Sequence, residues 1–460
     1  MPFLKINPVR LLRSRQAVAL LVGICAACLL AAGAPLHAQH AATVDLLAAG
    51  DLRGEIKPCG CSPEGQYGGL PRRLTFLEQA FSQPAAPSQP ILLDLGNNFP
   101  DPSDQGLLKV DLIQALLKLF PPSAILAGPQ ELTAGAGALD RELPYLLSND
   151  AVGKLFKPTV TVPRGSARIG IYGFLSPGEV YQEFSESFRI HALSDGWLGE
   201  IQARIARERQ SHAVLLFRGN DAELARLAAS GLFDRILVGN PSGDESNQIV
   251  SRKVGNAEFP QVPTKGQGLQ RVPLSLDGKT AVAPAEVVWL GDTVADHAAA
   301  LHAFEIYDEK VKGLFFARLN AAKEKAEDSP FAGAQLCAAC HVKAAQTWNG
   351  SRHAHALATL ERVKKNFDPE CLACHVVGLG QQGFLGAEQT PQLANVQCES
   401  CHGPGKAHAA DPAHVKPDRI REAIAEHGNP AAVCRECHHG SHSPKFDFPG
   451  YWPKIAHGKE

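Results

Sequence analysis

Cys337-Ala338-Ala339-Cys340-His341 begins a C-terminal stretch in which one arrangement recurs three more times, as Cys371-Leu372-Ala373-Cys374-His375, Cys398-Glu399-Ser400-Cys401-His402 and Cys434-Arg435-Glu436-Cys437-His438. Two thiols at this spacing can each add across one vinyl group of a haem, and the adjoining imidazole then reaches the iron as proximal ligand. Zinc sites also use Cys-x-x-Cys pairs, but they do not need a histidine at the same place after every pair. Disulfides leave the histidines unexplained as well. The pattern predicts four covalently bound c-type haems, with His341, His375, His402 and His438 on the irons.

Working outward, 12 of the 18 histidines lie from His341 onward; beyond those four, His353, His355, His408, His414, His427, His439, His442 and His457 remain. That supply is enough for a second axial ligand at every iron. Imidazole on both faces suits electron transfer, whereas an iron lacking the second ligand is open to small molecules. His353 lies far enough beyond His341, about 18 Å of rise on one continuous helix, that it is expected to serve a neighbouring haem. Four macrocycles would themselves supply apolar surface, so the short apolar runs and many loops of residues 331–460 suit a mainly helical, loop-rich tetrahaem domain.

The whole chain has 460 residues, 45 % hydrophobic and 20 % charged, which is the composition of a folded protein. Its 45 basic and 47 acidic side chains leave a net charge of -2, and no cationic excess for nucleic acid. Arg10, Arg13 and Arg15 precede an apolar run from Ala17 to Ala34 and a small-residue exit at Leu36-His37-Ala38. Residues 1–38 thus read as an export signal cleaved after Ala38, which places the mature chain in the periplasm or on the outer face of the envelope. A retained anchor is the competing reading, but the run is rich in Ala and Gly and is followed by Pro35. A lipid on Cys25 or Cys28 fits poorly with its neighbours.

Residues 43–290 have a different texture. Short Val-, Ile- and Leu-rich runs at 43–50, 91–95, 124–128, 169–174, 213–218 and 235–239 alternate with helical patterns such as Leu107–Phe120, Leu198–Arg209 and Ala222–Ala229. Strand followed by helix, repeated, predicts a layered α/β domain with its ligand-bearing loops at the strand carboxyl ends. Extended stretches at 268–276 and 283–290 are expected to close it. Residues 291–330 read as a helical linker with a break at Gly313 and a stop at Ser329-Pro330.

The C-terminal region resembles the cytochrome c-554 family. The resemblance rests on Trp348-Asn-Gly-Ser351-Arg-His353-Ala-His355, on Cys371-Leu-Ala-Cys-His-Val-Val-Gly378, on Cys398-Glu-Ser-Cys-His-Gly-Pro-Gly-Lys-Ala-His408, and on Ser443-Pro-Lys-Phe446 followed by Tyr451-Trp452. It implies electron transfer, with His353 and His408 as distal ligands and His457, then His442 or His414, as further candidates. It also implies that one iron can lack a sixth ligand.

The strand ends of the first domain resemble the 5'-nucleotidase branch of the calcineurin-like metallophosphoesterases, in which Asp-x-His, Gly-Asp, Gly-Asn-His-Glu and two later histidines hold two metal ions. Here those positions read Asp51-Leu-Arg53, Asp94-Leu-Gly96-Asn97, Gly128-Pro129-Gln130-Glu131, Phe217-Arg218-Gly219 and Val238-Gly239-Asn240-Pro241. Every expected imidazole is missing, and arginine cannot ligate a cation at neutral pH. The departures imply a catalytically retired domain; a single metal on a different ligand set is the alternative.

Pro58-Cys59-Gly60-Cys61, followed by Gly68-Gly69-Leu70-Pro71-Arg72-Arg73, reads either as a glycine-rich loop or as a redox or ligand-binding loop. In the second case Arg72 and Arg73, joined by Arg53 and Arg218, would receive a small anion. The chain as a whole is therefore expected to relay electrons between envelope redox partners. The competing expectation is an oxidoreductase acting on a small nitrogen or sulfur compound, at an open haem or at the Cys59/Cys61 loop.

Overall fold

Thr43–Ala49 forms β1, whose alternation sends Val44, Leu46 and Ala48 to one face and Leu47 and Ala49 to the other. The structure is a computed structural model and describes residues 42–58, 67–82, 89–153, 155–180, 189–240, 251–322, 329–439, 443 and 445–457. The expected export segment, Cys59, Cys61 and His442 lie outside them. β2 (Ile91–Asp94), β3 (Ala124–Leu126) and β4 (Tyr145–Leu146) follow β1 in parallel. Parallel neighbours need crossovers, which helices Leu70–Ala80, Asp104–Leu119 and Pro129–Ala134 supply. Ser103 starts the second of these by accepting from the Gly106 N–H at 2.8 Å.

A second sheet pairs β5 (Val160–Arg164) antiparallel with β6 (Ala167–Leu175), then runs parallel through β7 (His212–Arg218) and β8 (Arg235–Val238). The sheets meet face to face: Leu46, Leu93 and Ile125 share one core with Ile169, Ile171, Val214 and Leu216. Gly173 permits that approach, because a Cβ there would come within 2.8 Å of Leu126 Cδ1. On the outer face of the second sheet Phe174, Leu215 and Phe217 pack on Trp197 and Ile201 of helix Asp195–Arg207 and on Leu224 and Leu227 of helix Asp221–Ala229. Hairpin β9 (Ser251–Val254) and β10 (Ala257–Pro260) follows. β11 (Gly268–Ser275) then returns antiparallel to β1, with β12 (Glu286–Trp289) beside it. The predicted layered α/β architecture is what these residues build.

The segment read as a linker behaves otherwise. One helix, Ala298–Ala322, runs through Gly313 without a break. Its Ala300, Phe304, Tyr307 and Val311 belong to the same core as β1. An interior glycine disfavours a helix by only about 1 kcal/mol, less than one buried aromatic contributes, so packing overrides the local signal.

The described residues between 331 and 457 form short helices joined by loops, with a small core of Phe331, Leu357, Leu360, Leu372, Val376, Val377, Phe384 and Leu393. Polar contacts fasten this region to the first domain. Lys109 reaches Glu370 at 2.6 Å, Gln105 donates to Asp368 at 2.8 Å and Lys365 meets Asp308 at 2.5 Å. No helix among the described residues is long and apolar enough to cross a membrane.

Candidate haem sites and the strand-end pocket

Each Cys-x-x-Cys-His lies on a helical turn. The His341 N–H donates to the Cys337 carbonyl at 2.9 Å and that of Cys340 to the same carbonyl at 3.2 Å; His438 and Cys437 repeat this on Cys434. In the second motif Cys374 donates to Cys371 and His375 to Leu372, while the third is itself the helix Cys398–His402. A turn of this kind sets residues three apart on one face, which is the placement that two thioether bonds to one macrocycle need. All eight thiols are free of disulfides. Cys337 lies against Cys398 and Cys374 against Cys437, so the motifs are adjacent in pairs.

The imidazoles provide the test of fit. His341 faces His408 with ring centroids 6.1 Å apart, His438 faces His353 at 6.1 Å, and His402 faces His457 at 5.9 Å. An imidazole nitrogen sits about 2.0–2.1 Å from a bound metal, so two rings on opposite sides of one ion have centroids roughly 6 Å apart. Burial pushes His353, His402 and His438 below the usual histidine range, toward the neutral form that ligates. His408 Nδ1 lies 2.7 Å from the Val415 carbonyl, and His438 Nδ1 3.2 Å from Ser443 Oγ. Such contacts fix the ring and leave Nε2 for a metal.

His375 differs. Its Nδ1 lies 2.7 Å from the Ala356 carbonyl and 3.3 Å from Thr359 Oγ1, yet among the described residues no second imidazole faces it. His414 is exposed and turned to Asp411 at 3.0 Å, while His355 and His427 are also exposed. The aromatic residues of the stretches that carry the resemblance pack around the motifs. Phe446 stacks on His438 at 5.0 Å with Tyr451 edge-on, and Trp348 Nε1 donates to the Val396 carbonyl at 2.7 Å.

The strand ends of the first domain converge on Asp51, which is fully buried. Its Oδ2 pairs with Arg218 Nη2 at 2.5 Å and accepts from the Asn240 N–H at 2.8 Å; its Oδ1 accepts from Asn97 Nδ2 at 3.1 Å. Arg218, also buried, donates from Nε to the Leu95 carbonyl at 2.7 Å. Gly239 makes room for it, since a Cβ there would lie 2.6 Å from Arg218 Cζ. Arg53 donates to the Asn240 carbonyl at 2.9 Å, and Gln130 turns its amide to Asp101 at 2.9 Å. Asp51, Arg53 and Asn97 all hold left-handed backbone, a conformation non-glycine residues adopt chiefly where the surroundings over-determine it. Glu131 accepts from the N–H groups of Asn97 at 2.7 Å, Asn98 at 2.8 Å and Gly128 at 3.1 Å.

Of the four arginines expected to share an anion, Arg53 and Arg218 converge on Asp51 and the Asn240 carbonyl, while Arg72 and Arg73 turn elsewhere. Arg73 is buried against Asp94 at 2.8 Å and Arg218 against Asp51, while Arg72 lies near the Leu290 carbonyl and Asp296. Asp94 in turn accepts from the Gly96 N–H and Asn98 Nδ2, so it braces the loop after β2.

Comparison with known proteins found both similar structures and similar sequences. Structures similar to it include a 5'-nucleotidase precursor from Thermus thermophilus, with TM-score 0.47, 17 % identity and 59 % of each chain covered. The sulfate thiohydrolase SoxB of the same organism gives TM-score 0.44 and 16 % identity, over 57 % of this chain and 60 % of that one. The NAD nucleotidase of Haemophilus influenzae gives TM-score 0.44 and 12 % identity, over 58 % and 60 %. Cytochrome c-554 of Nitrosomonas europaea is 37 % identical over 109 residues, which cover 20 % of this chain and 46 % of that protein, so the match spans about half of the relative's length. Residues 336–403, which hold the first three Cys-x-x-Cys-His motifs, match the family described as cytochrome c554 and c-prime.

Proposed function

We propose that this chain is an exported four-haem c-type cytochrome that relays electrons between redox proteins of the cell envelope. What carries the reading is the spacing of the three imidazole pairs, 5.9–6.1 Å between ring centroids. Cys337 and Cys340 would hold one haem between His341 and His408. Cys398 and Cys401 would hold a second between His402 and His457, and Cys434 and Cys437 a third between His438 and His353. Cys371, Cys374 and His375 would hold the fourth. Haem iron supplies a reversible one-electron centre whose potential follows its axial ligands and surroundings. The chain's own residues orient the imidazoles through Val415, Ser443 and Ala356.

In this reading the α/β domain is a redox-silent support rather than a phosphoesterase. Asp51 gives its oxygens to Arg218, Asn97 and Asn240, leaving a guanidinium where a cation would need the carboxylate. A second reading is favoured by one observation, the absence of a facing imidazole at His375 among the described residues. It makes that position a site for a small nitrogen or sulfur compound.

Mass spectrometry and electron paramagnetic resonance of the purified oxidised protein test both readings. The relay predicts four covalent haems, loss of residues 1–38 and mainly low-spin signals. A mature protein containing zinc and no haem would sink it. Catalytic consumption of hydroxylamine, nitrite or a sulfur oxyanion, lost on changing His375, would put the second reading in its place. Nucleotide hydrolysis by the full chain with manganese, abolished by Asp51→Ala, would reverse the reading of the first domain.

A further inference from the structure

We infer that Glu399 is a positioning residue shared by two haem sites, one carboxylate that fixes both and lowers the reduction potential of both. The inference rests on the haem ligation proposed above. Glu399 sits between Cys398 and Cys401 and is buried. Its Oε1 accepts from the N–H groups of Ala332 at 2.8 Å and Gly405 at 2.7 Å, and its Oε2 from that of Gly333 at 2.8 Å. Ala332 and Gly333 lead directly into the helix Ala334–Ala338 that carries Cys337. Gly405 leads into the helix Lys406–Ala410 that carries His408. One side chain of the third motif therefore holds the approach to the first motif and the approach to the imidazole facing His341.

Neighbouring contacts strengthen the same junction. Gln397 accepts from the Ala334 N–H at 2.6 Å and donates to the Gln392 and Ala394 carbonyls. Cys337 and Cys398 touch, so the carboxylate stands beside the place where the two motifs meet. Its three partners are neutral backbone donors, which suit a carboxylate but do not cancel its charge. A fixed negative charge in a poorly polarisable setting favours the ferric over the ferrous state of a nearby haem, which lowers the potential. Hydrogen bonding alone would explain the folding of this junction; the charge adds an electrostatic consequence that reaches two irons at once.

The test uses the full-length haem-loaded protein and a spectroelectrochemical titration. Bands are assigned to the His341 and His402 sites by their displacement in His408→Met and His457→Met. Glu399→Gln should leave haem content unchanged and raise both potentials, each by at least a tenfold change in the reduction equilibrium, 59 mV for a one-electron couple. The sites at His375 and His438 should shift by less. Glu399→Asp keeps the charge and should keep both potentials within that margin, while the amides of Ala332, Gly333 and Gly405 exchange faster. Unchanged potentials in a fully loaded Glu399→Gln protein overturn the inference, as does a shift confined to one haem. If Glu399→Gln does not mature, a tenfold shift in Glu399→Asp overturns it. A wild-type chain without haem would overturn the ligation as well, whereas flat potentials in a haem-loaded protein overturn only the role of Glu399.

Discussion

Both carboxylate oxygens of Asp51 are taken by the protein itself, and its partner Arg218 is as deeply buried as it is. Removing one member of such a pair leaves an uncompensated charge, typically a loss of about 3–5 kcal/mol, whereas replacing both by apolar groups can be nearly neutral. Asp51→Ala should therefore lower the urea midpoint strongly, and Asp51→Leu with Arg218→Met should recover much of the loss. Equal midpoints for Asp51→Ala and wild type would contradict the pairing. Glu131 sets a different expectation. Burial pushes its carboxyl from 4.5 up to about 7, against the pull of the Asn98 and Asn97 N–H groups and of Arg218. A raised acid holds its proton more tightly in the folded chain, so its contribution is fully present below pH 4.5 and is lost as pH rises through about 7. Glu131→Gln should remove this fall while weakening the protein at every pH, because an amide nitrogen cannot accept from Asn97 or Asn98. Denaturation at several pH values checks it: wild-type stability relative to the variant must fall, not rise, across that window.

Among the elements, the short helix Pro369–Leu372 joins the two halves of the molecule. Asp368 caps it by accepting from the Glu370 N–H at 3.1 Å, and the same oxygen accepts from Gln105 of helix Asp104–Leu119. The turn that presents Cys371 is thereby tied to the α/β core. Losing an N-cap weakens a helix by about 1 kcal/mol, and a buried amide is left with fewer partners here. Asp368→Ala should accelerate amide exchange from Cys371 to Val376 about tenfold while leaving β1 unchanged. Equal acceleration in both would mean that the junction and the core open together.

Across the whole molecule, the imidazole pairs cross-link segments that are distant in the chain. His353, just after the first motif, faces His438 of the fourth; His408, just after the third, faces His341 of the first; His457 returns from the C-terminal end to His402. His353→Ala should therefore alter the spin state or potential of the haem on Cys434 and Cys437, without loss of attachment. The check is a pair of backgrounds. The spectral change should vanish when Cys434 and Cys437 are replaced and persist when Cys337 and Cys340 are replaced; the reverse pattern would reject the pairing.

Local pattern by itself determined the layered α/β class and the helical, loop-rich C-terminal region, because strand alternation and short apolar runs are properties of neighbouring residues. It also located the four Cys-x-x-Cys-His turns, since their spacing is covalent. What it could not supply was anything decided by contact across the fold. Arg72 and Arg73 look like a pair in sequence, but successive residues of helix Leu70–Ala80 point in different directions, so Arg73 is buried on Asp94 while Arg72 faces Leu290 and Asp296. Gly313 signals a break, yet Phe304, Tyr307 and Val311 pack into the core and the helix continues. The absence of histidine at Arg218 was legible; that its guanidinium seats itself on Asp51 was not. Which imidazole faces which, and the reach of Glu399 to the distant backbone of Ala332 and Gly333, belong to the tertiary structure alone, because each is a meeting of residues that only the folded chain brings within hydrogen-bonding or ring-contact distance.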